Sequence, residues 1–319
     1  MSIRTTYLST NNRMVNQLMT NQSNLLDLQM KLSSQKNVTK PSDDPVAASQ
    51  ILTIEKQQNK ITTYNSNIAT AKEQLDMLDS SLAKVIDVMQ RASDLAVESS
   101  NETVNPTQLK GIKGEIDQIK ASIVDFANTQ YNGQYIFSGN NTTTPTYSLN
   151  QTTGAVTYQG SNASGDSARS VEIMEGVNVP LNVKGVDIFG SYTPADPAAV
   201  PPVAEQATGI FGTLSQLSNA LGATPTNVSN ISAQIDKIKD GINTVTDVRT
   251  QYGAYSSKRL DMTTSYLSDL SLSLDEQKSG LQDLDMVKTI TDLNNQNYAY
   301  QASLQTSATA MKLSLLNYI

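Results

Sequence analysis

"ILTIEKQQNKITTYNSNIATAKEQLDMLDSSLAKVIDVM" occupies residues 51–89, and its spacing decides the fold. Ile54, Ile61, Ile68, Leu75, Leu82 and Met89 recur at every seventh position, while Tyr64, Ala71, Leu78, Val85 and Ala92 fill the alternate row. Two such rows make the a and d seam of a helix that packs lengthwise on another helix. At ~1.5 Å per residue, a helix over about 46–100 would be ~80 Å long. That predicts a rod.

The sequence on either side agrees. "KPSDDPVAAS", residues 40–49, opens this helix: Ser42 is a good N-cap, Asp43 and Asp44 complement the positive helix end, and Pro45 suits the first turn. Before it, Tyr7, Met14, Asn21 and Leu28 form one seam row, and Asn11, Leu18, Leu25 and Leu32 form the other. "SSQKNVTKP" ends that first helix, because Pro41 disfavours helix in the residue before it. "NETVNPTQ" breaks the long helix. A third follows with Leu109, Ile112, Ile116, Ile119, Ile123 and Phe126 at helical spacing, antiparallel to the second, and Asn132-Gly133 is the expected stop.

The helical period disappears from 138 to about 204. Short runs rich in β-branched residues, "AVTYQG", "SVEIME", "VNVPLNV" and "GVDIFG", alternate with glycine turns, and "YTPADPAAVPP" closes the region as a stiff connector. Helical spacing returns in "IFGTLSQLSNAL". It continues through Val228, Ile231, Ile235, Ile238, Ile242 and Val245, then Leu267, Leu270 and Leu274. A last stripe carries Ile290, Leu293, Tyr300, Leu304, Met311 and Tyr318, with Asn297, Ser307 and Ser314 as polar members. Both chain ends are thus amphipathic helices of matching period, suited to pair with each other and with neighbouring chains.

The expected fold is mainly α with a β insertion: a long antiparallel helical coiled-coil or bundle rod with paired N- and C-terminal helices. Segments 1–40 and 285–319 form the terminal coiled coil, 41–137 and 205–284 the helical rod, and 138–204 the inserted β domain. The assembly seam comprises Met14, Leu18, Leu25, Leu28, Leu32, Ile290, Leu293, Tyr300, Leu304 and Met311.

Composition narrows the function. Of 319 residues, 38% are hydrophobic and 5% aromatic, with no Trp and four Phe, which argues against one large globular core. The formal charge of −7 argues against nucleic acid, although Arg4, Arg13, Lys31, Lys36 and Lys40 face only Asp27 in the first forty residues. With no Cys and no His there are no disulfides, thiol nucleophiles, Cys/His zinc sites or His bases. Adjacent Asp43 and Asp44 point apart at a helix start, so capping is favoured over metal chemistry. No phosphate loop or nucleophile elbow is present. The reading is therefore non-catalytic, without cofactor or metal. No apolar run reaches the ~20 residues of a membrane span, and the N-terminus lacks the apolar core of a cleaved leader. Export, if it occurs, is expected to leave the leader uncut. Asn-x-Ser/Thr triplets at Asn37, Asn141 and Asn162 read as chance matches. The seam residues Asn11, Asn21 and Asn297 either fix register or mark a fraying seam.

Together these residues resemble the flagellar hook-associated proteins of the flagellin superfamily, and among them the hook–filament junction members. The likeness rests on "KPSDDPVAAS", on "YNSNIATAKEQLDMLDSSLAKVIDVMQRASDLAVESSNET" (64–103) and on "FANTQYNGQYIFSG" (126–139). It also rests on "VTYQG" (156–160), "VKGVDIFG" (183–190) and "LQTSATAMKLSLLNYI" (304–319). Two departures stand out: Gln35 precedes Lys36 where the family commonly has Gly, and the Pro-rich 192–202 stretch resembles a local insertion. The resemblance implies a structural protein secreted uncleaved by the flagellar type III route, with an export chaperone. It implies a ring of self-copies between the first hook-associated protein and flagellin. The terminal helices would line the inner tube, the long helices would form the next shell, and the β insertion would face outward. The alternatives are flagellin itself and a coiled-coil needle or effector protein of a type III secretion system; a carboxylate enzyme is the third and least favoured reading.

Overall fold

The structure, a computed structural model, describes residues 2–101, 104–160, 169–196, 204–223 and 228–316. Helices α1 (Ser2–Ser34), α2 (Pro45–Ser99) and α3 (Pro106–Ala127) come first. Strands β1 (Gln130–Tyr131), β2 (Gln134–Tyr135), β3 (Tyr147–Leu149), β4 (Val156–Tyr158), β5 (Ser170–Met174) and β6 (Val177–Pro180) follow. A short helix α4 (Gly185–Phe189), strands β7 (Ser191–Thr193) and β8 (Gln206–Thr208) and helix α5 (Gly209–Gly222) lead into α6 (Val228–Ala254). A π-helical turn, Tyr255–Leu260, joins α6 to α7 (Asp261–Gln282), and α8 (Met286–Leu316) ends the chain. The expected helix-dominated chain with a mid-chain β insertion and paired terminal helices is what forms.

The chain divides into two compact units, 1–61 with 268–319, and 62–267. In the larger unit one apolar core joins α2, α3, α5 and α6 to the strands. The heptad rows of α2 lie in it as the spacing requires: Leu78, Leu82, Val85, Met89 and Ala92 are all fully buried. So are Ile116 and Ile123 of α3, and Ile231, Ile238 and Val245 of α6. Arg249 of α6 grips Asp79 of α2 through two bonds, 2.7 and 3.2 Å, which holds the guanidinium charge above its ordinary pKa. Helix α3 begins with a reciprocal cap: Gln108 N donates to the Asn105 side chain and Asn105 N donates to the Gln108 side chain.

Three of the four phenylalanines gather where strands meet helices. Phe137, Phe189 and Phe211 are fully buried around Tyr147, with ring centroids 4.9–6.1 Å apart. The Tyr147 hydroxyl donates to the Gly190 carbonyl at 3.0 Å, and burial pushes its pKa far up. These strands therefore share one core with the helices. β3, β4, β7 and β8 form a four-stranded antiparallel sheet, and β1–β2 and β5–β6 are separate hairpins.

Local departures from the sequence reading have clear causes. Asn132-Gly133 does not end α3, which stops at Ala127. Both residues have positive φ, 49° and 75°, and make the two-residue turn between β1 and β2. "GVDIFG" is the short helix α4, not a strand, and it ends at Gly190, whose φ is 66°. A Cβ on Gly190 would lie 2.0 Å from the Thr208 carbonyl oxygen, so the approach of β8 demands glycine there.

Candidate assembly surface

The smaller unit contains the acidic motif and the terminal seam. Asp43 and Asp44 divide the capping work between two structures. Asp44, not Ser42, is the N-cap of α2: its Oδ1 accepts from Val46 N and Ala47 N, both at 3.0 Å, with Pro45 in the first helical position. Ser42 lies in the preceding turn, too early to cap. Asp43 closes that turn, accepting from Lys40 N at 2.9 Å and from Thr39 N and Oγ1 at 3.0 Å. The amide of Lys40, then that of Thr39, holds the Asp43 carboxyl below the usual carboxylate value. Since the folded pKa is the lower one, this contribution is present above the unfolded value and lost as pH falls through the folded one. Replacing Asp44 with Ala should cost about 0.5–2 kcal/mol of local helix stability, read as faster hydrogen exchange over 46–51.

The same joint is tied to the junction of α7 and α8. Asn37 N donates to the Gln282 carbonyl at 2.7 Å and Leu284 N donates to the Gln35 carbonyl at 3.1 Å, so the backbones at Lys36 and Asp283 pair as one antiparallel β-bridge. Val38, Ala47 and Ile51 bury a small apolar cluster against Leu281. Gln35 has a φ of 58°, in the left-handed region. A side chain in the left-handed region costs about 1–2 kcal/mol. Gln35→Gly should recover up to about 1 kcal/mol of that, measured as slower hydrogen exchange at Asn37 and Leu284.

Helices α1 and α8 pair in antiparallel fashion. Asn21 Nδ2 donates to Ser303 Oγ at 3.3 Å and Gln296 Nε2 donates to the Asn21 carbonyl at 3.2 Å. Asn21 thus sets the register, while Asn11 is exposed. Met14, Leu18, Leu25, Leu28 and Leu32 are half-buried along one side of α1, and Leu293, Asn297, Tyr300 and Ser307 along one side of α8. Leu25, Leu28 and Leu32 lie between Asn21 and Gln35, so this register sets them opposite the stretch between Leu284 and Ser303. They do not face Leu304, which lies past Ser303 in this register. Ile290 and Leu304 are turned largely to solvent, 44% and 43% exposed, and the seam instead uses Thr289, Gln296 and Ser303. The Met311 side chain lies outside the described residues, as do those of Tyr7 and Tyr318.

A second apolar stripe on α1 was missed. Val15, Met19, Leu26 and Met30 follow one another at spacings of four, seven and four, and all are exposed, Met19 by 64%. Those steps keep all four on one face of the helix, a pattern legible as a second apolar stripe. Among the described residues no three acidic side chains gather as a metal site, and no helix is long and apolar enough to cross a membrane.

Comparison with known proteins bears on this geometry. Residues 4–142 match the bacterial flagellin N-terminal helical region and residues 235–319 match the bacterial flagellin C-terminal helical region. The chain is 28% identical to flagellar hook-associated protein 3 of Salmonella typhimurium over 304 residues, 92% of each protein. It is 24% identical to flagellin of Bacillus subtilis over 306 residues, covering 91% of this chain and 90% of that one. The crystal structure of flagellar hook associated protein-3 from Legionella pneumophila superposes with a TM-score of 0.61 at 16% identity, covering 72% of this chain and 98% of that chain. The fold is shared.

Proposed function

The chain belongs to the bacterial flagellin family, whose two helical regions together span more than half of it, and from that premise we propose that it is the structural link between hook and filament in the bacterial flagellum. It acts without catalysis, cofactor or metal. Copies of the chain form a ring with the first hook-associated protein on one side and flagellin on the other. The chain reaches that position through flagellar type III export, uncleaved and carried by an export chaperone. Segments 1–40 and 285–319 make the terminal coiled coil through which copies associate, with Met14, Leu18, Leu25, Leu28, Leu32, Leu293 and Tyr300 holding the pair together.

The observation that carries this reading is the α1–α8 pair, in which one apolar stripe is used within the chain and a second, on α1, is left open. Burial of apolar surface drives association, and an exposed apolar stripe along one helix face suits another helix. Greater identity to a hook-associated protein than to a flagellin, over similar lengths, favours the junction over the filament. Deleting the gene should leave complete hooks while flagellin is lost to the medium. Normal filaments on the deletion strain would overturn the proposal.

A further inference from the structure

Helices α3 and α5, the β3–β4 turn and Tyr192 enclose a cavity of about 390 Å³ in the larger unit. Its wall carries a charge that is not balanced. Lys120 is only 6% exposed, yet among the described residues its ammonium has one acidic partner, Asp117 Oδ1 at 3.4 Å. That oxygen already accepts from Ser218 Oγ at 2.7 Å, and Asp117 Oδ2 is taken by Lys113 Nζ at 2.7 Å. Two ammonium groups thus share one carboxylate, leaving a net positive charge at the cavity.

Burial pushes the Asp117 carboxyl up, but Lys113, Ser218 and Lys120 outweigh it and hold the group below the usual carboxylate value. The carboxylate therefore stays ionised, and the surplus is one charge rather than two. A second observation is independent of charge. Ser215, on α5, lines the cavity and is 1% exposed, and its buried hydroxyl has no partner among the described residues. A buried hydroxyl is normally hydrogen-bonded. Gly154, whose φ of 71° favours glycine, packs its backbone beside the Lys120 ammonium.

We propose that this cavity binds a small oxyanion, a carboxylate or phosphate group, held by the Lys120 ammonium and the Ser215 hydroxyl. A water molecule would satisfy the hydroxyl but leave the ammonium without a counter-charge; an oxyanion answers both. The volume falls within the ~300–1,000 Å³ of small-molecule sites, so the anion can be part of a larger polar ligand. The site is separate from the terminal helices and does not depend on the assembly role.

The test is calorimetric titration of the full chain with inorganic phosphate and, separately, with acetate, at an ionic strength held constant with chloride. Saturable binding of one anion per chain is expected for at least one of the two, and the arm that binds tells phosphate from carboxylate chemistry. Lys120→Met should weaken it at least tenfold and Ser215→Ala several-fold, with the thermal transition in chloride kept in both. Absence of saturable binding in both arms would overturn the site, and so would unchanged affinity in either variant.

Discussion

Phe211→Ala is expected to cost about 3–5 kcal/mol, the largest stability loss of any single truncation considered for this chain. Phe211 is fully buried on α5, with its ring centroid 4.9 Å from that of Tyr147 and 6.1 Å from that of Phe189. Truncation removes the transfer free energy of the ring and leaves a cavity between helix and strands. That cavity cannot collapse easily, because Tyr147 is anchored through its hydroxyl to Gly190. The aromatic pairs add roughly 0.5–1.5 kcal/mol beyond the area lost. For a unit of this size a loss of 1 kcal/mol lowers the midpoint by about 2–4 °C, so the drop should be about 6–20 °C by calorimetry. Phe211→Leu, which keeps most of the volume, should lose much less. A loss below about 1 kcal/mol for the alanine variant would mean that the strands and helices do not share this core.

The long-range pattern was legible in the sequence, and the reason is physical. Every a and d residue of α2 from Ile68 to Ala92 is buried, because a heptad row can face only one partner along a straight helix. What could not be read depends on backbone geometry or on a second element. Asp43 and Asp44 are both cap-forming residues, and only the position of the first helical turn decides that Asp44 caps α2 while Asp43 closes the turn before it. "GVDIFG" carries strand-like residues. Contact of Ile188 and Phe189 with the shared core overrides that propensity and makes α4. In α8 the spacing placed Leu293 and Tyr300 in the seam, where they lie half-buried, but Thr289 and Ser303 turn inward in place of Ile290 and Leu304, and polar residues leave little periodic signal. The cavity at Lys120 was invisible for a similar reason: α3, α5 and the β3–β4 turn meet there only in three dimensions.

Leu28→Asp is the substitution with the largest expected effect on assembly. Leu28 is half-buried between α1 and α8, and full burial of a leucine is worth about 1.5–3 kcal/mol. The variant forfeits part of that and places a carboxylate where it loses water. Paired terminal helices with a polar seam have little stability in reserve, since an isolated helix is marginal in water. The larger unit should not respond, because Leu28 belongs to the smaller one. The expected product is a soluble chain with an unchanged main thermal transition that fails to extend hooks into filaments. Limited proteolysis of the wild-type monomer should cut first within 1–40 and 285–319, and Leu28→Asp should speed those cuts without affecting 62–267.

Asn178→Asp adds the same charge at an exposed position on β6 and provides the matched control. Electron microscopy of hooks from a deletion strain supplied with each variant compares the two surfaces side by side. The account predicts full filaments with Asn178→Asp and bare hooks with Leu28→Asp. Full filaments with Leu28→Asp and bare hooks with Asn178→Asp would contradict it, placing the assembly surface on the strands instead of the terminal helices.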